Sequence, residues 1–393
     1  MAAINVSDLS KKYEGFLEPL VRVYLGDKNP EEIKKNPVKV VDITVELTSD
    51  LKASMATFSL INVYSFDIGA FRTSDLKKYI AIGTDVKLLL GHATSITTVF
   101  VGYIAGVDFI YDATAPGESR IRITAMDIKG VMMANNQSKR LKANYYSDAV
   151  KEILDGQTYQ NLKNNDIIKD LTISDTPDKP AGGAAVGGVG GGAAGGGEVD
   201  NRIEMVAESD FEFVCKVARK FNYEFFSIGG NVVFRAAKMN TEVLAEISPC
   251  PEIIYYDIGY DITGIVGEVK VRTMDVGKAN KIEVKKKNSA KVSIGSKAKP
   301  LITNQSYVYV DSAIESQTDA DNRAKYILEN MSYRFGNLRM ILKGMPEFVP
   351  GRFIQLKGFG DAASNKFYIT DVTHEFLAGS GFTTTIEGKA STM

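Results

Sequence analysis

The chain has 393 residues, 44% of them hydrophobic, enough for a large core and, by length, roughly two to four domains. Its 47 basic and 48 acidic residues nearly cancel, which removes any overall pull toward nucleic acid or an anionic membrane. The only cysteines, Cys215 and Cys250, and the only histidines, His92 and His374, are too few and too dispersed for a disulfide framework or a zinc site.

Residues 1–10 have neither the basic start nor the apolar run of a signal peptide. No later run approaches the roughly 18 apolar residues of a membrane span, so a soluble product made and kept in the cytoplasm is expected, unless something larger carries it out. Strands are expected over 20–26, 38–47, 56–63, 86–90, 98–111 and 120–126. In 56–63, Phe58 and Leu60 fall on one side and Thr57, Ser59 and Ile61 on the other. Six such strands can close or nearly close a small barrel, which defines a first domain over 1–140. Within it, residues 99–109, VFVGYIAGVDF, interrupt the alternation with Gly102 and Gly106. Glycine inside a strand marks a bulge or a close approach by another backbone. Gly102 and Gly106 are therefore candidate assembly contacts, a sharply curved barrel strand being the other reading.

Residues 141–240 change texture to α+β. A short helix over 147–154 has Ser147 in place for its cap. Residues 181–197 contain only glycine, alanine and valine, too little side chain to offset ordering, so a mobile loop is expected there. Ser209 and Glu212 then form a capping box for a helix with Phe211, Val214, Cys215, Ala218 and Phe221 on one face. Residues 223–227 and 231–235, split by Gly229-Gly230, read as a hairpin packed on that helix.

A second β-rich domain is expected over 241–393, opening with strands at 253–257 and 262–273. Residues 278–299 hold eight lysines, one glutamate, no arginine and no aromatic, which suits a solvated hairpin tip or an acidic partner better than nucleic acid. An inserted helix follows within 318–333, with Thr318 and Asp321 placed for a capping box and Gly336 expected to end it. The chain closes on a β-meander: a Pro350-Gly351 turn, then strands over 352–357, 366–376 and 382–387. Residues 79–125 follow the same plan. Laying Phe100 on Phe367 puts Phe109 on Phe376, and Gly83 corresponds to Gly351, so one β module is expected twice, unless turn chemistry common to all meanders makes the match.

Bond chemistry finds little footing. Gly190, Gly192 and Gly195, and again Gly358, Gly360 and Ala363, match dinucleotide-loop spacing, but neither set sits between a strand and a helix. His374 and Glu375 are adjacent on a strand and so face opposite ways. No nucleophile-elbow pattern occurs. Paired carboxylates brought together by folding have no local signature, so a cell-wall or glycan-degrading enzyme stays open as the alternative. A glycan-binding protein would expose an aromatic platform, and the chain lacks tryptophan. No catalytic, cofactor-binding or metal-binding residue is assigned.

Two stretches carry a family resemblance: residues 350–376, PGRFIQLKGFGDAASNKFYITDVTHEF, and residues 207–226, AESDFEFVCKVARKFNYEFF. The first resembles the closing part of the phage late control protein D family, baseplate hubs of contractile tails, and is similar to the hub portion of the type VI secretion spike protein VgrG. The second resembles the unit between the two tube-like barrels of that family. The resemblance implies two similar β-barrel domains joined by a smaller α+β region, and a homotrimer whose six barrels form a ring. It further implies a tail tube protein above, a separate spike protein below and other baseplate components as partners. The glycine-rich stretch is no part of the family pattern.

Overall fold

The computed structural model describes residues 3–32, 37–114, 119–177, 203–275, 280–288, 297, 299–311, 314 and 316–393. A 13-stranded mixed sheet dominates it. In chain order its strands are β1 Ile4–Asn5, β2 Pro19–Leu25, β3 Lys39–Thr48, β4 Met55–Ile61, β5 Asp85–His92, β6 Ser95–Ile110, β7 Arg120–Met126, β8 Val243–Ile247, β9 Ile253–Tyr260, β10 Gly336–Lys343, β11 Phe353–Leu356, β12 Lys366–Leu377 and β13 Gly381–Ala390.

The first module, β3 to β7, pairs in the spatial order β3-β4-β7-β6-β5. The second, β9 to β13, repeats that order as β9-β10-β13-β12-β11. All these pairings are antiparallel, while β8 adds to β11 in parallel and β1 to β8 in parallel. The modules are joined edge to edge where β3 pairs with β12, from Ile43 opposite Phe376 to Thr48 opposite Asp371.

Alternation explains the burial. β7 turns Ile121, Ile123 and Ala125 inward, and β13 turns Phe382, Thr384, Ile386 and Ala390 inward. Phe58 and Leu60 of β4 are fully enclosed, as their side of the strand requires. One core holds residues of both modules, from Val6 to Ala390, with each large side chain enclosed in it contributing roughly 1.5–3 kcal/mol. The mainly β class with α+β insertions is the observed one.

An N-terminal helix, α1 Val6–Lys12, is an element that the sequence reading lacked. Asn5 caps it by accepting the Ser7 N–H, and Val6, Leu9 and the following Tyr13 are buried. Through β1 this segment is tied to the second module.

The middle region has its own core around Tyr159, Phe213, Phe225 and Phe234. Its helix α2 Tyr146–Leu154 begins one residue before Ser147, which is not the cap. The Ser147 N–H donates to Thr176 Oγ1 at 3.0 Å, so one of the free amides of the first turn is satisfied from outside. Helix α3 Asp210–Phe221 carries the expected Ser209–Glu212 capping box, and its buried face also includes Phe213 and Val217. The hairpin of Tyr223–Ile228 and Asn231–Ala236 turns at Gly229 and Gly230 with φ +56° and +93°, the left-handed pair that a two-residue turn demands.

The link between β9 and β10 carries an inserted unit. Strands Glu268–Asp275, Asn280–Lys287 and Ser306–Val310 form a separate three-stranded sheet under helix α4 Gln317–Ser332, around Val269, Val271, Ala320 and Ala324. The strand expected over 262–273 therefore belongs to this unit and not to the second module's sheet. Helix α4 starts earlier than expected: Ser316 is its cap, accepting the Asp319 N–H at 3.0 Å, which leaves Thr318 exposed in the first turn. Gly336 opens β10 instead of ending the helix, which stops at Ser332. Of the lysine-rich run, Lys281 and Lys285 pair with Glu283, and Lys286 pairs with Asp321 at 2.6 Å. Residues 181–197 lie outside the described residues. Among those described, no helix is long and apolar enough to cross a membrane.

Candidate assembly interface

Hydrogen bonds at the head of each module fix how the two correspond. The Gly83 N–H donates to the Ile104 carbonyl and the Ile104 N–H to the Thr84 carbonyl, both at 2.8 Å. In the second module the Gly351 N–H donates to the Ile369 carbonyl at 3.0 Å and the Ile369 N–H to the Arg352 carbonyl at 2.8 Å. Gly83 and Gly351 share a left-handed backbone, φ +89° and +80°. Immediately beyond, both long strands shift register, β6 between Ile104 and Gly106 and β12 between Ile369 and Asp371.

Tyr103, Ile104 and Val107 therefore fall on Tyr368, Ile369 and Val372. The pairing of Gly83 with Gly351 holds, whereas the frame that lays Phe100 on Phe367 is two residues out. A slip of two returns every side chain to its own face, so alternation could not expose it. In the corrected frame Phe109 lies on His374 and Tyr111 on Phe376.

This correspondence makes the exposed rings informative. Past the bulge on β12, Val372 and His374 face the core and are fully enclosed, because β3 lies alongside and brings Ile43, Val45 and Leu47 next to them. On β6 the same positions are Val107 and Phe109, with Tyr111 just beyond the strand. Here β5 ends opposite Tyr103, and no described strand continues along that edge. Phe109 stays 48% exposed and Tyr111 51%, although Phe71 and Tyr64 touch them at ring distances of 5.3 and 4.9 Å. Among the described strands, β9, the counterpart of β3, pairs with β10 alone, and Ile254, Tyr255 and Tyr256 are exposed. Among the described residues, the far end of β6 and the outer edge of β9 are thus unpaired, with apolar side chains along them.

The two glycines singled out from sequence play different parts. A Cβ on Gly102 would lie 2.2 Å from the Met126 carbonyl oxygen and 2.8 Å from the Phe100 ring, so this glycine permits close packing inside the first module. At Gly106 the nearest atom would be Thr124 Cβ at 3.8 Å, and Gly106 opens the unpaired stretch of β6. Gly106 remains at the candidate edge. Gly102 lies behind it. Phe109, Tyr111 and Tyr256 were not singled out in sequence; their signal is the repeat itself, read in the right frame.

The groups best suited to chemistry are occupied by the core. His92 and His374 flank the Phe382 ring, with centroids at 5.4 and 6.0 Å. His92 Nε2–H donates to the Gly344 carbonyl at 2.8 Å, and His374 Nδ1 is 3.0 Å from Thr384 Oγ1. Burial pushes both imidazoles below their ordinary value, His374 to about 4, so both are neutral near pH 7. Gly344 lets the ring come so close, since a Cβ there would lie 2.1 Å from Phe382. Burial likewise raises the Cys215 thiol to about 11 and raises Cys250, which holds both as protonated thiols.

No protein-family model and no curated protein matches this sequence. Solved structures do match it. The tail protein from Neisseria meningitidis MC58 aligns over 95% of this chain and 97% of its own, with a TM-score of 0.63 at 13% identity. The 43 kDa tail protein of prophage MuSo2 from Shewanella oneidensis aligns over 94% and 98%, with a TM-score of 0.65 at 11% identity. The chain has the fold of these tail proteins. A type VI secretion component of E. coli, described as similar to T4 bacteriophage tail proteins, shares the fold over 94% of this chain and 76% of its own, with a TM-score of 0.52 and 10% identity. The tail-protein fold therefore extends through the inserted and middle regions as well as the repeated module.

Proposed function

We propose that this protein is the structural hub of the baseplate of a contractile tail or injection apparatus, and that it acts as a homotrimer. Two like modules per chain then give six like units, which can meet a sixfold tail tube on one face while the threefold chain arrangement meets a spike on the other. The tail-protein fold supports a structural role in a tail or baseplate, and on this reading the protein is a component of a virion or tail-like particle. Its partners on this reading are the tail tube protein, a separate spike protein and other baseplate components. The mechanism is geometric: backbone pairing and apolar edges join modules into a ring, and no covalent bond is made or broken.

The observation that carries this reading is the duplication of one five-strand module within a single continuous sheet. A symmetry adaptor needs such near-equivalence inside each chain, whereas a monomeric enzyme does not. Light scattering across concentration, with the spike protein absent and then present, tests it. The expected particle has a mass three times the 42.9 kDa of one chain. A species that stays at one chain mass in both conditions would contradict the proposal.

A further inference from the structure

The three-stranded sheet of the inserted unit has one closed face and one open face. On the closed face Val269, Val271, Val284 and Tyr309 pack beneath α4 with Ala320 and Ala324. We infer that the open face is a docking surface for a partner protein whose own surface is acidic around a small apolar centre. This contact lies on the inserted unit, apart from the repeated modules, and does not need the trimer.

The strand Ser306–Val310, SYVYV, is apolar on both sides. Tyr309 turns toward α4, so alternation sends Val308 and Val310 to the open face, where they are 45% and 72% exposed. A strand that is apolar on both faces is the pattern of one covered on both. Val308 pairs with Lys270 and Val310 with Arg272, so the two valines lie directly beside cations.

Charge sets the chemistry of the partner. Among the described residues, Lys270, Arg272, Lys281, Lys285 and Lys287 share the open face with two carboxylates, Glu268 and Glu283. Glu283 already serves three cations: Lys281, Lys285 at 3.3 Å and Arg272 at 3.1 Å, which hold its carboxyl down at about 2. Glu268 is taken by Lys270 at 3.1 Å. Lys270 also lies directly opposite Lys285, a like-charge pair that costs stability until an anion comes between them. At one end of the face a hollow of about 450 Å³, lined by Lys270, Lys287 and Lys299 with Asn288 and Ser306, can receive a carboxylate side chain. The whole chain has a net charge of −1, so this positive charge is concentrated here against an acidic remainder. Nucleic acid is the poorer match, because the open face has one arginine and presents no aromatic ring on which a base could stack. A membrane surface would take larger apolar side chains than two valines.

Fluorescence anisotropy and vesicle cosedimentation with the full chain test this. The probes are a short labelled peptide alternating Glu with Val and Ser, a single-stranded oligonucleotide of the same net charge, and phosphatidylserine vesicles. The peptide should bind, more weakly as salt rises, and more tightly than the other two. Lys281→Glu/Lys285→Glu and Val308→Ser/Val310→Ser should each weaken it about tenfold, whereas Lys11→Glu/Lys28→Glu, at exposed lysines outside the unit, should not. If charge reversal lowers the melting temperature, Lys281→Gln/Lys285→Gln takes its place, with an expected loss of about threefold. Four results would each overturn the proposal: no binding of the peptide, an equal loss from the Lys11 and Lys28 pair, no effect of the valine pair, or tighter binding of the oligonucleotide or the vesicles.

Discussion

At Gly102 the absence of a side chain is a packing requirement, and at Gly106 it is not. Gly102→Ala should lower stability by about 1–3 kcal/mol, the usual cost of forcing a group into a filled site, while Gly106→Ala should change it by less than about 0.5 kcal/mol. Thermal unfolding of the two variants checks the difference, and equal losses would contradict it. His374 gives a pH signature. Its folded pKa is depressed by burial to about 4, below the roughly 6.5 of an unfolded histidine. Stability that depends on the neutral ring is whole above about pH 6.5. It is lost as pH falls from there toward about 4, where the folded ring also takes up a proton. Over that window the melting temperature of His374→Phe should fall less steeply than that of the wild type; parallel curves would show that the ring is not held neutral.

Elements differ in how much of them local sequence specifies. The capping box at Ser209 and Glu212 and the Gly229-Gly230 hairpin involve groups within four residues of each other, and both were legible without a fold. The start of α4 was misplaced because Ser316 and Thr318 are both acceptable caps, and only the backbone at Ser316 is extended. Ser316→Ala should therefore cost about 1 kcal/mol and Thr318→Ala less than about 0.5, as read by chemical denaturation. The strand Glu268–Asp275 was legible as a strand but not as part of an insertion, since alternation is the same whichever sheet receives it. The repeat was legible from its turn glycines, but its frame was not, because a two-residue slip leaves alternation intact. The bulges after Ile104 and Ile369 settle the frame, and only in that frame do Phe109 and Tyr111 stand out as uncovered counterparts of covered positions.

On the scale of the whole molecule, the decisive contact is β3 with β12, which joins residues more than 300 positions apart in the chain. No local pattern encodes such a pairing. It makes one sheet and one core out of two modules, and, among the described residues, the far end of β6 and the outer edge of β9 stay unpaired. In the proposed homotrimer, three such chains would supply six like modules. The most direct measurement is electron microscopy of the purified assembly, with class averages viewed down the ring axis. A closed ring of six similar lobes is predicted, three chains contributing two each, with near-equal spacing between all neighbours. Rings with any other number of lobes, or three pairs of lobes separated by open gaps, would contradict it.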